Sequence, residues 1–162
     1  MTDKPLFKKI MQVGLVVKDV DASVRKQWDE FGIGPWSLYT FDPSTVKNLT
    51  VRGKPVEHAM RVAIAMIGDL MWELIQPLDD KSIYAEFLQE HGEGIHHILF
   101  DVDDFQGAEA SFKERGHEPC QGGQMGGIRY AYFDTRETLH TIAEIASLGE
   151  NEALPPPEAT YP

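Results

Sequence analysis

The chain has 162 residues, with 15 lysines and arginines against 26 aspartates and glutamates, a formal charge of −11. That balance repels nucleic acid and anionic membrane surfaces at long range, so neither is an expected partner. A hydrophobic content of 42% and a charged content of 25% exclude a disordered chain, and the length suits one domain over residues 1–162 or two half-domains sharing a core.

The apolar runs at 13–17 and 62–67 fall short of the roughly 20 residues a membrane span needs. Residues 1–9 lack the apolar stretch and cleavage site of a secretory signal, so a cytoplasmic location is expected. Cys120, the single cysteine, excludes an internal disulfide and a multi-cysteine zinc site, and reads as a structural thiol.

In chain order, residues 10–17 form a strand-like run rich in β-branched residues, and Lys18-Asp19-Val20-Asp21 turns the chain. Val24, Trp28 and Phe31 recur at helical spacing before Gly32 and Gly34-Pro35 end the helix. Short strands are predicted at 36–41, 60–67 and 70–75, with Gly68-Asp69 as a tight hairpin turn. Segment 44–61 carries Lys47, Arg52, Lys54 and Arg61 against Glu57 alone; it reads as a solvated charged loop or as a receiving surface for an anion.

Ile83, Phe87 and Leu88 then recur at helical spacing, with Ser82 as N-cap, which predicts a linker helix. Beyond it the first pattern returns: a strand at 94–102, a helix with Phe105, Ala108 and Phe112 on one face, and short strands at 117–120, 129–133 and 139–145. Gln12-Val13-Gly14-Leu15-Val16-Val17 followed by an acidic turn aligns with His97-Ile98-Leu99-Phe100-Asp101-Val102 followed by another, so the chain reads as an internal duplication. The predicted fold is α+β: one βαβββ module at 9–77, a linker helix at 78–93, a second module at 94–147 and a proline-rich extended tail at 148–162.

Four polar residues sit at matching places in apolar strands: Gln12 and His97 on the first strand of each module, Glu73 and Glu144 on the last. Alternation places Gln12 with Gly14 and Val16, opposite Met11, Val13, Leu15 and Val17 on the helix-packed side. Taken singly, each reads as a solvent-facing or hydrogen-bonded side chain. Two carboxylates at equivalent buried positions call for a shared cation, since an isolated buried charge costs several kcal/mol.

From Ile10 to Ser147 the chain resembles the glyoxalase and methylmalonyl-CoA epimerase branch of the vicinal oxygen chelate superfamily. The resemblance is carried by Glu73-Leu74-Ile75-Gln76-Pro77-Leu78-Asp79-Asp80-Lys81-Ser82 and by Gly92-Glu93-Gly94-Ile95-His96-His97-Ile98-Leu99-Phe100-Asp101-Val102-Asp103-Asp104. It implies two paired modules forming a cup-shaped mixed sheet around one divalent metal ion (Co, Ni, Zn, Mn or Mg), held by Gln12, Glu73, His97 and Glu144. It selects His97 as the ligand and sends His96 to the other face. Epimerases typically carry histidine and glutamine where this chain has Gln12 and Glu73, and the resulting set is more like lactoylglutathione lyase. The carboxylate that would serve as a second base near 60–64 is missing.

The expected chemistry is proton transfer next to a carbonyl by a metal-dependent isomerase, epimerase or lyase, on a small carbonyl compound or CoA thioester. Glu144 is the first choice as base, Glu73 the second, and His140 a candidate proton shuttle on the Glu144 face. Lys47, Arg52 and Lys54 are candidates to meet an anionic part of the substrate, with Tyr39, Trp36, Met66, Tyr130 and Tyr132 as candidate pocket residues. Alternatives are an extradiol-type dioxygenase, although Gln12 replaces one of the usual two histidines, and a non-catalytic binding module like the bleomycin-resistance relatives. A homodimer is expected from the resemblance.

Overall fold

The computed structural model describes residues 5–147 and 153–162; residues 148–152 of the predicted tail, and residues 1–4, lie outside the described residues. The first module runs β1 (Ile10–Val16), α1 (Val20–Phe31), β2 (Trp36–Phe41), β3 (Val46–Val51), β4 (Lys54–Pro55), β5 (Met60–Ile67) and β6 (Leu70–Pro77). After α2 (Ile83–His91) come β7 (Gly94–Phe100), α3 (Phe105–Glu114), β8 (Pro119–Met125), β9 (Ile128–Asp134), α4 (Arg136–Leu139) and β10 (Ile142–Ala146). A last strand, β11 (Ala159–Tyr161), lies in the tail. The helix starts follow local chemistry: the Asp19, Ser82 and Asp104 side chains each accept a backbone N–H of the first turn, and Gly32 ends α1 at φ 66°.

All strands share one sheet in the order β11-β2-β5-β6-β1-β7-β10-β9-β8-β3-β4. β1 and β7 join the modules antiparallel, while β1 with β6 and β7 with β10 are parallel. The segment read as a charged loop holds the β3–β4 hairpin, and β3 pairs with β8 of the other module. This crossover forces curvature. Laid flat, the eight strand spacings from β2 to β3 would span about 38 Å, whereas the chain from Phe41 to Val46 reaches at most about 19 Å. The sheet therefore curls until its ends approach.

Alternation divides the core accordingly. On the convex side α1 packs Val20 and Val24 against Trp36, Leu38 and Leu74, and α3 packs Phe105, Ala108 and Phe112 against Phe133, Ala143 and Ile145. The concave side holds Val16, Phe41, Val62, Ile75, Tyr130 and Tyr132, and α2 adds Ile83 and Tyr84 to it. α2 follows β6 and precedes β7, so it closes the trough at the end where those strands meet. β8 extends past the predicted 117–120 because Gly123 gives room to Tyr130: a Cβ there would lie 2.6 Å from its hydroxyl oxygen. The tail is anchored as well, with β11 on β2 and Leu154 packed against the concave core.

Candidate metal centre

Two neighbouring rungs cross the four central strands on the concave face. One runs Glu73, Gly14, His97, Ile142; the next runs Met71, Gln12, Leu99, Glu144. The side chains of Gln12, Glu73, His97 and Glu144 thus converge from β1, β6, β7 and β10, each at most 9% exposed. The Gln12 amide nitrogen donates to Glu73 at 2.8 Å and lies 3.3 Å from Nε2 of His97. That Nε2 lies 3.3 Å from a carboxylate oxygen of Glu73 and 3.3 Å from one of Glu144.

Burial governs the proton affinities of this group. It pushes the Glu73 carboxyl up to about 8 and drives the His97 imidazole down to about 3. Glu144 is raised well above the carboxylate range by burial first and by the charge of Glu73 second, with the Tyr132 hydroxyl acting the other way. One Glu144 oxygen, Oε2, is buried without a hydrogen-bond partner.

Among the described residues no three His, Cys, Asp or Glu side chains are already arranged to hold a metal ion. Here the donors rest on one another, with His97 between the two carboxylates. Their chemistry nevertheless fits a divalent cation. Two buried carboxylates match its charge, Oε2 of Glu144 lacks a partner, and turning the Gln12 amide over presents its oxygen. Neighbouring polar atoms of the four side chains lie 2.8–3.3 Å apart.

His96 departs from the expected alternation. The β1–β7 register shifts between Gly14 and Leu15, whose partners are His97 and Ile95, so His96 is the extra residue of a β-bulge. Instead of facing away, it is buried with its Nδ1 3.0 Å from Nδ1 of His97.

A cavity of about 260 Å³ opens beside this group of four polar residues, with Met60, Val62 and Ile64 of β5 on one wall and Tyr84, Tyr130 and Tyr132 on another. Gln12, Glu73 and Glu144 line it directly. The Tyr84 hydroxyl donates to that of Tyr132 at 2.7 Å. Tyr84 and Leu154 escaped the sequence reading, because neither a linker-helix residue nor a tail residue signals which cavity it enters. A larger groove of about 780 Å³ lies beside α3, lined by Glu109, Lys113, Arg52 and Arg129; it lacks the four converging side chains and carries no comparable chemistry.

The remaining candidates are dispersed. Tyr130 lines the cavity, and Tyr39 belongs to the concave core, stacked on Phe41 at 5.4 Å. Lys47 donates to the Pro43 carbonyl, Arg52 makes a two-pronged ion pair with Glu86 across to α2, and Lys54 is exposed on β4; none of the three lines the cavity. Trp36 is buried on the convex side and Met66 is half exposed. His140 caps α4 at φ 57°, exposed and ahead of β10, so it does not share the Glu144 strand.

Similar proteins place this architecture. The chain is 34% identical over 67 residues to mitochondrial methylmalonyl-CoA epimerase from Bos taurus, a match covering 39% of this chain and 38% of that protein. Among solved structures, methylmalonyl-CoA epimerase from Mycobacterium tuberculosis superposes with a TM-score of 0.68 at 18% identity, over 92% of this chain and 93% of that one. A Streptomyces coelicolor methylmalonyl-CoA epimerase variant in complex with 2-nitronate-propionyl-CoA gives 0.69 at 20% identity, over 91% and 99%. At such identities the superpositions speak for the shared fold. The sequence profile that matches residues 11–133 is more specific, and by it the chain belongs to the Glyoxalase/Bleomycin resistance protein/Dioxygenase superfamily.

Proposed function

We propose that this protein is a divalent-metal-dependent isomerase or epimerase that moves a proton at a carbon next to a carbonyl, with a CoA thioester as the favoured substrate class. The observation that carries the reading is the pair of buried carboxylates, Glu73 and Glu144, which converge with Gln12 and His97 and, with Gln12, line an apolar cavity. Those four residues would hold the cation. When bound there, a divalent cation supplies Lewis acidity toward substrate oxygens.

Glu144 is the better base. In the cation-free site its Oε2 has no partner, whereas Glu73 accepts from Gln12, so Glu144 is the freer of the two to take a proton. The Tyr84 hydroxyl donates to that of Tyr132 on the cavity wall, and the Tyr132 hydroxyl offsets part of the rise in the Glu144 proton affinity. Met60, Val62, Ile64 and Met71 exclude water around the reacting carbon. Support for the substrate class comes from the relatives, among them a methylmalonyl-CoA epimerase in complex with methylmalonyl-CoA.

A second reading, a lyase acting on a thiohemiacetal, is favoured by one observation: the inward residues of β5 are all apolar, so both proton moves fall to Glu73 and Glu144. The test is metal content and calorimetric cation binding on purified protein, with solvent deuterium exchange on acyl-CoA thioesters and α-hydroxy ketones. One cation per chain and exchange on a thioester is the expected result. Exchange confined to hydroxy ketones would select the lyase, and neither cation nor exchange would leave a binding module. The homodimer remains part of the proposal, and a light-scattering mass of 18.2 kDa at micromolar concentration would refute it.

A further inference from the structure

We infer that His96 is a positioning residue for the cation site: its Nδ1 accepts the Nδ1–H of His97 and thereby keeps Nε2 of His97 bare toward Gln12, Glu73 and Glu144. The inference rests on the cation reading above and adds a residue that no alternating strand would supply.

The two Nδ1 atoms lie 3.0 Å apart in a buried place, so one proton lies between them. Two arrangements satisfy it. If His96 donates, His97 carries its own proton on Nε2, where the carboxylate oxygens of Glu73 and Glu144 lie 3.3 Å away but form no hydrogen bond with it. If His97 donates, its Nε2 offers a lone pair to the same space. A cation needs the second arrangement, and a fully buried Nδ1–H then needs an acceptor. His96 is that acceptor. Switching between the two moves the His97 proton from Nε2 to Nδ1 and the His96 proton from Nδ1 to Nε2, so the number of protons on the pair does not change.

The surrounding structure is built for this contact. The bulge brings the two rings to one side, and the missing side chain of Gly14 makes the space that the His97 ring fills. Tyr84 and Phe87 of α2 pack against the His96 ring at 5.3 and 5.1 Å between centroids. His96 also borders a separate polar recess of about 140 Å³ with Glu86, Glu90 and Arg136.

The experiment combines Co²⁺ affinity with nitrogen NMR of the two imidazoles. His96→Phe keeps a ring among Tyr84, Phe87 and Tyr132 but removes the acceptor, and should weaken Co²⁺ binding about 10–100-fold. His96→Asn, whose side-chain oxygen stands near the place of Nδ1, should recover most of that loss. Wild-type protein should show scalar coupling across the N–H···N bond without metal, and with Zn²⁺ a His97 protonated on Nδ1. Undiminished Co²⁺ affinity in folded His96→Phe, or a His97 protonated on Nε2 in the Zn²⁺ form, would overturn the inference. Should His96→Phe not fold, the Asn variant and the wild-type spectra decide. Wild-type protein that binds no divalent cation would sink the functional reading, while the metal-free coupling would still test the histidine pair.

Discussion

Gly14 and His97 occupy one space: a Cβ on residue 14 would stand 2.0 Å from Cε1 and 2.1 Å from Nε2 of the His97 ring. Replacing a strand glycine by alanine ordinarily gains roughly 0.5–1 kcal/mol through the unfolded chain. Here the methyl group must displace a fully buried imidazole, and overpacking costs about 1–3 kcal/mol. Gly14→Ala should therefore be net destabilising in chemical denaturation, and it should lose cation affinity because the displaced Nε2 is a proposed ligand. An unchanged midpoint with unchanged affinity would mean that the ring does not need this space.

A pH dependence follows from the same cluster. His58, His96 and His97 are held below their ordinary 6.5 by burial, so below that pH the unfolded chain binds more protons and stability rises with pH. Glu73 and Glu144 act in the opposite sense: raised above 4.5, they keep protons in the folded state that the unfolded chain has released. Between about 6.5 and 8 only the glutamate effect remains, and cation-free stability should fall as pH rises. Saturating Co²⁺ takes the place of those protons, so the slope should vanish and affinity should increase over the same range. Melting temperatures at pH 6.5 and 8.0, with and without Co²⁺, check both signs. Glu73→Gln with Glu144→Gln should flatten the cation-free slope.

Gln12, Glu73, His97 and Glu144 were legible because a polar residue in an apolar strand has one address under two-residue alternation, and the duplication repeats that address in each module. Alternation fails at His96, since a bulge depends on the register between β1 and β7 and leaves no local sign beyond the neighbouring Gly14. The β3–β4 hairpin was hidden in a charged segment whose strand partner, β8, lies some 70 residues away along the chain. Gly122 and Gly123 read as loop because the reason for their place in β8, the approach of Tyr130, comes from another strand. The basic residues Lys47, Arg52 and Lys54 were legible as charge but not as direction: the hairpin carries them away from the cavity.

The tail offers a separate test. Glu158 accepts from the Thr40 backbone N–H at 3.0 Å and from its hydroxyl at 3.1 Å, and lies 3.6 Å from Arg61. These contacts continue the β11–β2 pairing and end the segment that begins with Leu154 at the cavity. The site is half exposed, so Glu158→Ala should cost only on the order of 1 kcal/mol globally. Its main effect should be local: faster hydrogen exchange of the β11–β2 amides and, once a substrate is found, a KM raised more than kcat is lowered. Protection unchanged at β11 would show that the backbone pairing holds the tail without Glu158.

Glu144 and Glu73 are chemically alike but differently held, and that difference sets the last prediction. In the cation-free site Glu73 accepts the Gln12 amide at 2.8 Å, whereas Glu144 has an oxygen without a partner. Glu144→Gln keeps an oxygen donor and loses the basicity, so exchange at saturating cation should fall on the order of 10²-fold or more, the usual contribution of a positioned proton-transfer group. Glu73→Gln should chiefly weaken cation binding, with a smaller loss of exchange once the site is filled. Both variants remove one negative charge from the same buried place, so a purely electrostatic role would weaken cation binding alike in the two and leave exchange at saturation alike as well. Deuterium exchange followed at saturating Co²⁺ separates these outcomes: a large loss in Glu73→Gln with Glu144→Gln nearly intact would move the base to Glu73.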